Sequence, residues 1–224
     1  MINKTRTSLA HGVGLNIVSD ERFKSEFFSI SFLTPLNSRE NTVSYILPSL
    51  LLRGTEKYPR ALKLSCALQE CYDTELSGES YRMGNAKIVR FGAAFISEEY
   101  THIPLRQKVL DILRQVILYP LKDRSGLLCE DFVELEKSAV LDIIKTKINN
   151  KKSFAFSRCR DILLEGDDCG VSKHGSEETA LELSPLLVTD FYKRMIRDFA
   201  VEFFYEGSAD PTLITELVKD CFSE

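Results

Sequence analysis

The sequence predicts an α+β fold, an antiparallel-leaning sheet with its helices packed on one face. Three observations carry that expectation. Phe28, Ile30 and Phe32 recur at period two, as in a half-buried strand, whereas Val109, Ile112, Leu113, Val116 and Ile117 recur at helical spacing. Segments of these two kinds follow one another without a repeat, a low-complexity tract or a Pro/Gly-rich linker, so a single domain over residues 1–224 is expected.

The elements are justified in chain order. Leu15, Ile17 and Val18 precede the turn-like Ser19-Asp20-Glu21-Arg22, and with Phe28, Ile30 and Phe32 beyond it they predict a β-hairpin. Pro35, Asn37 and Ser38 break the strand, and a helix is expected over residues 39–52, with Gly54 as a left-handed cap. Pro48 inside that apolar run predicts a kink or a late start. A second helix over 59–72 has proline near its first turn and Leu62, Leu64, Ala67 and Leu68 along one side. Strands over 74–83 and 87–96 are joined by the turn dipeptide Gly84-Asn85. Helices follow over 105–118, stopped by Pro120, over 130–149, and over 153–165, where Gly166-Asp167-Asp168 opens a loop. Ser176-Glu177-Glu178 begins a helical turn and Ser184-Pro185 a helix through residue 196. Residues 200–205 form a strand, and Asp210-Pro211 caps a terminal helix.

Composition narrows the function classes. Lys and Arg number 29 against 33 Asp and Glu, a small and dispersed acidic excess that argues against a nucleic-acid footprint or a polybasic membrane patch. The apolar runs 45–52 and 109–119 are too short or too broken to span a bilayer, and the first residues lack the apolar core of a signal peptide, so a cytoplasmic location is expected. The six cysteines, at 66, 71, 129, 159, 169 and 221, form no C-x-x-C pair and are expected to be reduced and mostly buried. His11, His102 and His174 lie far apart without a partner at helical spacing, and each is expected on the surface or in a loop rather than on a metal. No Cys has the context of a Cys-His nucleophile, and no glycine run has phosphate-loop spacing.

Three patterns in order resemble the pitrilysin/insulinase superfamily of zinc peptidases, which includes the mitochondrial processing peptidases. The first, Tyr45-Ile46-Leu47-Pro48-Ser49-Leu50-Leu51-Leu52-Arg53-Gly54-Thr55-Glu56-Lys57-Tyr58-Pro59, is similar to the family's H-F-L-E-H-M-L-F-K-G-T-x-K-Y-P. The second, Glu136-Lys137-Ser138-Ala139-Val140-Leu141-Asp142-Ile143-Ile144, is similar to the helix E-R-x-V-V-L-x-E that supplies a third ligand. The third runs from Gly175-Ser176-Glu177-Glu178 through Leu183-Ser184-Pro185 and Asp190-Phe191-Tyr192 to Asp210-Pro211 and is similar to the family's closing segment. The resemblance implies one peptidase-like domain of the N-terminal type, a piece of a longer two-repeat chain or one that meets a second copy in trans.

The apolar frame survives and the chemistry does not. An inverted H-x-x-E-H motif sets two imidazoles one helical turn apart on a metal and a carboxylate beside them to activate water. Against that motif Tyr45 stands at the first His, Pro48 at the Glu base, Ser49 at the second His, and Ile143 at the third ligand. Asp142 is one residue over and would point about 100° away. Glu136 matches an acidic family position, although a solvated helix charge is the favoured account of it. The resemblance therefore implies a non-catalytic homologue with no metal of its own, zinc being expected in active relatives only. It would act as a peptide-binding or partner subunit of an active homologous peptidase, with an unfolded peptide as ligand and neither nucleic acid nor membrane as partner. The alternative is a divergent metalloendopeptidase whose active half or ligands lie elsewhere. Leu76-Ser77-Gly78-Glu79-Ser80 lies where relatives have L-N-A-x-T, the strand edge onto which peptide adds; it is equally an edge guarded by Glu79 with a purely structural part.

Overall fold

The computed structural model describes residues 3–22, 24–167, 170 and 172–222. Six strands form one sheet: β1 (Asn3–Ala10), β2 (Val13–Ser19), β3 (Ser25–Pro35), β4 (Glu75–Met83), β5 (Ala86–Ile96) and β6 (Ala200–Gly207). Their order is β1-β2-β6-β3-β5-β4, with only β2 and β6 parallel. The antiparallel-leaning sheet is therefore as expected.

The expected hairpin between residues 15 and 32 does not form. β6 inserts between β2 and β3, pairing parallel with one and antiparallel with the other. Its inward side chains explain why. Phe203 opposes both Leu15 and Ile30, and Tyr205 opposes Ile17 and Phe28, so a strand from the far end of the chain completes the apolar stripe. The turn after β2 is tied to that strand as well, the Asp20 N–H donating to the Gly207 carbonyl at 2.8 Å. β1 was absent from the expected elements because its polar residues, Asn-Lys-Thr-Arg-Thr-Ser, carry no apolar stripe on the outermost strand.

Eight helices are described: α1 (Asn41–Leu51), α2 (Ala61–Gln69), α3 (Leu105–Leu118), α4 (Glu130–Thr146), α5 (Lys151–Leu163), α6 (Glu177–Leu181), α7 (Pro185–Asp198) and α8 (Pro211–Phe222). Leu15, Ile17, Phe28, Ile30, Phe32, Val89, Phe91, Phe203 and Tyr205 line one sheet face and are buried with Leu47, Leu50 and Leu51 of α1 and Val109, Leu113 and Val116 of α3. The alternate residues point the other way, among them Asn16, whose amide donates to Glu202 at 2.6 Å, and the Phe27–Phe204 ring pair at 6.3 Å.

Local signals hold with two corrections. Ser176 accepts from the Thr179 N–H in a capping box, Ser184 caps α7 ahead of Pro185, and Asp210 accepts from the Thr212 N–H at the start of α8. Gly84 turns from β4 to β5 with φ +60. Gly54, however, has no left-handed backbone; a Cβ there would lie 3.3 Å from backbone atoms of Tyr58 and Pro59, so the glycine serves a close chain approach. α1 starts at Asn41 and runs through Pro48, so no late start occurs. The cysteines are also less buried than expected. Cys71 and Cys221 are buried, but Cys66 and Cys159 are exposed on the outer sides of α2 and α5, and Cys169 lies outside the described residues.

Candidate functional site

The site is built on α1, whose apolar stripe Ile46, Leu47, Leu50 and Leu51 is buried and whose Tyr45 and Ser49, four residues apart, share the outer face. Ser49 is exposed, Tyr45 is half-buried and Pro48 is buried. Pro48 lies against β4 so closely that a Cβ on Gly78 would stand 2.9 Å from the proline Cβ. This contact explains both residues: the ring fills the space that the glycine leaves.

α4 packs along α1 and is pinned to it by a charge pair. Arg53 Nε donates to Glu136 Oε1 at 2.6 Å, and Glu136 is only 7% exposed. Glu136 is thus not the solvated helix charge favoured from sequence; its partner lies 83 residues away, beyond any local pattern. Ile143, two turns further along the same side of α4, is 37% exposed. Burial and the Glu136 carboxylate hold the Tyr45 phenol above its ordinary pKa, so it remains a hydroxyl donor.

A zinc ion does not fit this set. Ile143 and Pro48 offer no lone pair, Ser49 is an ordinary exposed hydroxyl, and Tyr45 is protonated. Among the described residues no group of three or more His, Cys, Asp and Glu could hold a metal ion. Tyr45 moreover has a cation for a neighbour, in addition to the Glu136 carboxylate. The His174 ring packs edge-on at 4.5 Å from the Tyr45 ring, and Lys173 Nζ stands 5.9 Å from the Tyr45 ring centre. Burial, with Lys173, Lys147 and Lys87 nearby, lowers the His174 pKa to about 4, keeping the imidazole neutral. His174 is a loop residue as expected, but it is half-buried against α1. Sequence reasoning passed over the lysines. Lys87 was the legible one, since it occupies the inward parity of β5 ahead of Val89, Phe91, Ala93 and Phe95.

β4 is the outermost strand at this end of the sheet. Leu76, Gly78 and Ser80 face α1, while Ser77 and Glu79 face away, Ser77 donating to the Gly92 carbonyl at 3.4 Å and Glu79 pairing with Arg90. Among the described residues no backbone hydrogen bond joins residues 76–80 to a segment outside the sheet. Its outer row of N–H and C=O groups is open. Pro48 and Gly78 are brought together, with Tyr45 and Ser49 on the outer face of α1 and Ile143 on the neighbouring helix.

No family model matches the chain. In sequence it is 22% identical, over 94% of its length, to the probable inactive metalloprotease YmfF of Bacillus subtilis, and it spans about half of that relative, 50%. Solved structures share the fold. A conserved protein from Enterococcus faecalis superposes over 98% of this chain and 52% of its own, with TM-score 0.93 and 20% identity. A peptidase M16 inactive domain from Pseudomonas fluorescens covers 99% of this chain and 50% of its own, with TM-score 0.79 and 11% identity. The periplasmic protease PqqL from Escherichia coli matches 99% of this chain with 24% of its own, at TM-score 0.76 and 16% identity. The resemblance read from the sequence is borne out: along nearly its whole length the chain is similar to a probable inactive metalloprotease, and it has the fold of an M16 peptidase inactive domain.

Proposed function

We propose that this degenerate pitrilysin-type chain is a non-catalytic half of a peptidase-like assembly that holds an extended peptide on the β4 edge beside α1. The observation that carries the proposal is the open main-chain row of residues 76–80 running past Tyr45 and Pro48, where an active relative would hold metal and base. Strand addition draws its affinity from main-chain hydrogen bonds, so it survives the loss of every catalytic residue. Glu79 does not close the edge, because its carboxylate is engaged by Arg90 on the next strand inward.

A homologous half is the expected companion. The chain spans about half the length of the curated relative it matches. α5 buries only Ser157 and presents Phe156, Ile162 and Leu163 to solvent, the last 76% exposed, which suits a helix covered by another protein surface. On this account the chain alone binds peptide without cutting it.

Fluorescence anisotropy with a labelled, unstructured peptide tests the proposal. The account expects binding without cleavage. It also expects a loss of at least about tenfold in affinity when alternate amides of the peptide are N-methylated on its pairing edge, as removing main-chain donors requires. Equal binding of the methylated peptides in both alternations would refute strand addition, and zinc-dependent cleavage by the chain alone would refute the non-catalytic assignment.

A further inference from the structure

Three lysines from separate parts of the chain surround His174, whose ring packs edge-on against Tyr45. Lys87 comes from β5, Lys147 follows the last residue of α4 and donates to Ser157 Oγ at 2.5 Å, and Lys173 and His174 come from the loop before α6. Lys87 is the most unusual of them, being 4% exposed with no hydrogen-bond or ion-pair partner among the described residues. A buried lysine of this kind is rare unless paired. Beside it on the same sheet face, diagonal across the β4–β5 ladder, stands Ser80, 7% exposed, whose Oγ also has no partner. Lys173 forms an exposed rim over the Tyr45 ring, and the protonated Tyr45 hydroxyl adds a third donor type.

Two of the carboxylates on the neighbouring helices are already engaged. Glu136 is held by Arg53, and Glu177 faces Lys145 at 3.6 Å. What remains is a set of N–H and O–H donors, with positive charge and a buried floor, next to the strand edge that the peptide would occupy.

We propose that Lys87, Lys173, Lys147, His174, Ser80 and Tyr45 form a carboxylate-binding site, and that it selects acidic extended peptides on the β4 edge. The place where an active relative would bind a cation has become a place for an anion. The inference rests on the edge-capture reading given above and adds the chemistry of the captured segment. A glutamate or aspartate side chain whose Cβ faces α1 opposite Ser80 would offset the buried Lys87 charge through charge-assisted hydrogen bonds.

The test uses the full chain and two acetylated, amidated eight-residue peptides, one alternating valine with glutamate and the other valine with glutamine. In an extended strand alternate side chains share a face, so in either orientation one complete set can meet α1. Calorimetric titration at low salt is expected to give at least about tenfold tighter binding of the glutamate peptide, a preference that shrinks as salt is raised. In Lys87→Met the two peptides are expected to bind alike, while the thermal midpoint is no lower than that of the wild type. Equal affinities on the wild type would overturn the carboxylate site and leave edge capture standing. No binding of either peptide would overturn both. A preference that survives in Lys87→Met and in Lys173→Met would also overturn the site, because the selecting charge would then lie elsewhere.

Discussion

Lys87 carries a cost that the fold alone does not explain. Burial, with Lys173 adding to it, pulls its pKa from the ordinary lysine value down to about 8. The folded protein therefore releases a proton that the unfolded chain keeps between pH 8 and the ordinary lysine value. Stability rises with pH across that window, and below it the full penalty applies. At pH 7 that penalty is on the order of 3 kcal/mol. Lys87→Met should accordingly be more stable than the wild type at pH 7, by up to about 2–3 kcal/mol in urea unfolding, and should lose the rise above pH 8. A variant less stable at pH 7 would contradict the geometry assigned to this side chain. Residues of this kind were only partly legible beforehand. Tyr45, Pro48, Ser49 and Ile143 could be located because they interrupt a local motif, and the inward parity of Lys87 was there to be read. The burial of Glu136 was not, because it depends on Arg53 meeting α4 in space.

Most elements were legible in the sequence, and the misreading of one strand neighbour has a physical cause. Periodicity and capping residues located α1 through α8 and the β4–β5 hairpin to within a few residues, since those signals are local. Strand order is not local. β2 and β3 lie next to each other in the chain, yet each finds its apolar partners on β6, nearly two hundred residues on. The same long-range closure places a buried charge network at one end of the sheet. Glu26 on β3 accepts from Arg106 Nη2 at 2.6 Å and Nε at 2.8 Å, from Ser97 Oγ at 2.8 Å, and from the Tyr205 hydroxyl at 2.9 Å. Arg106 thereby clasps α3 to β3 across the end of the core. Arg106→Met would strand the fully buried Glu26 carboxylate and should cost about 3–5 kcal/mol in chemical unfolding. Adding Glu26→Gln should recover part of that loss, and two costs that simply add would mean the pair is not coupled.

At the scale of the whole molecule, the fold is that of M16 peptidase domains, and Tyr45, Pro48, Ser49 and Ile143 offer no set of ligands for a metal. α1 still runs beside an outer strand, α4 still backs it, and the third motif still closes the sheet through β6. No helix among the described residues is long and apolar enough to cross a membrane, and α5 presents Phe156, Ile162 and Leu163 to solvent. The frame was recognisable from sequence because apolar spacing outlasts side-chain chemistry, whereas the anion-attracting cluster was not, because its members come from α1, β4, β5, the residue after α4 and a loop. The most direct measurement is amide hydrogen exchange on the chain with and without a saturating extended peptide. The account predicts slowed exchange at backbone amides within residues 76–80, where the open edge gains a strand, with little change on the far edge formed by β1. Protection on β1 or α5 with none on β4, under conditions where the peptide is bound, would contradict it.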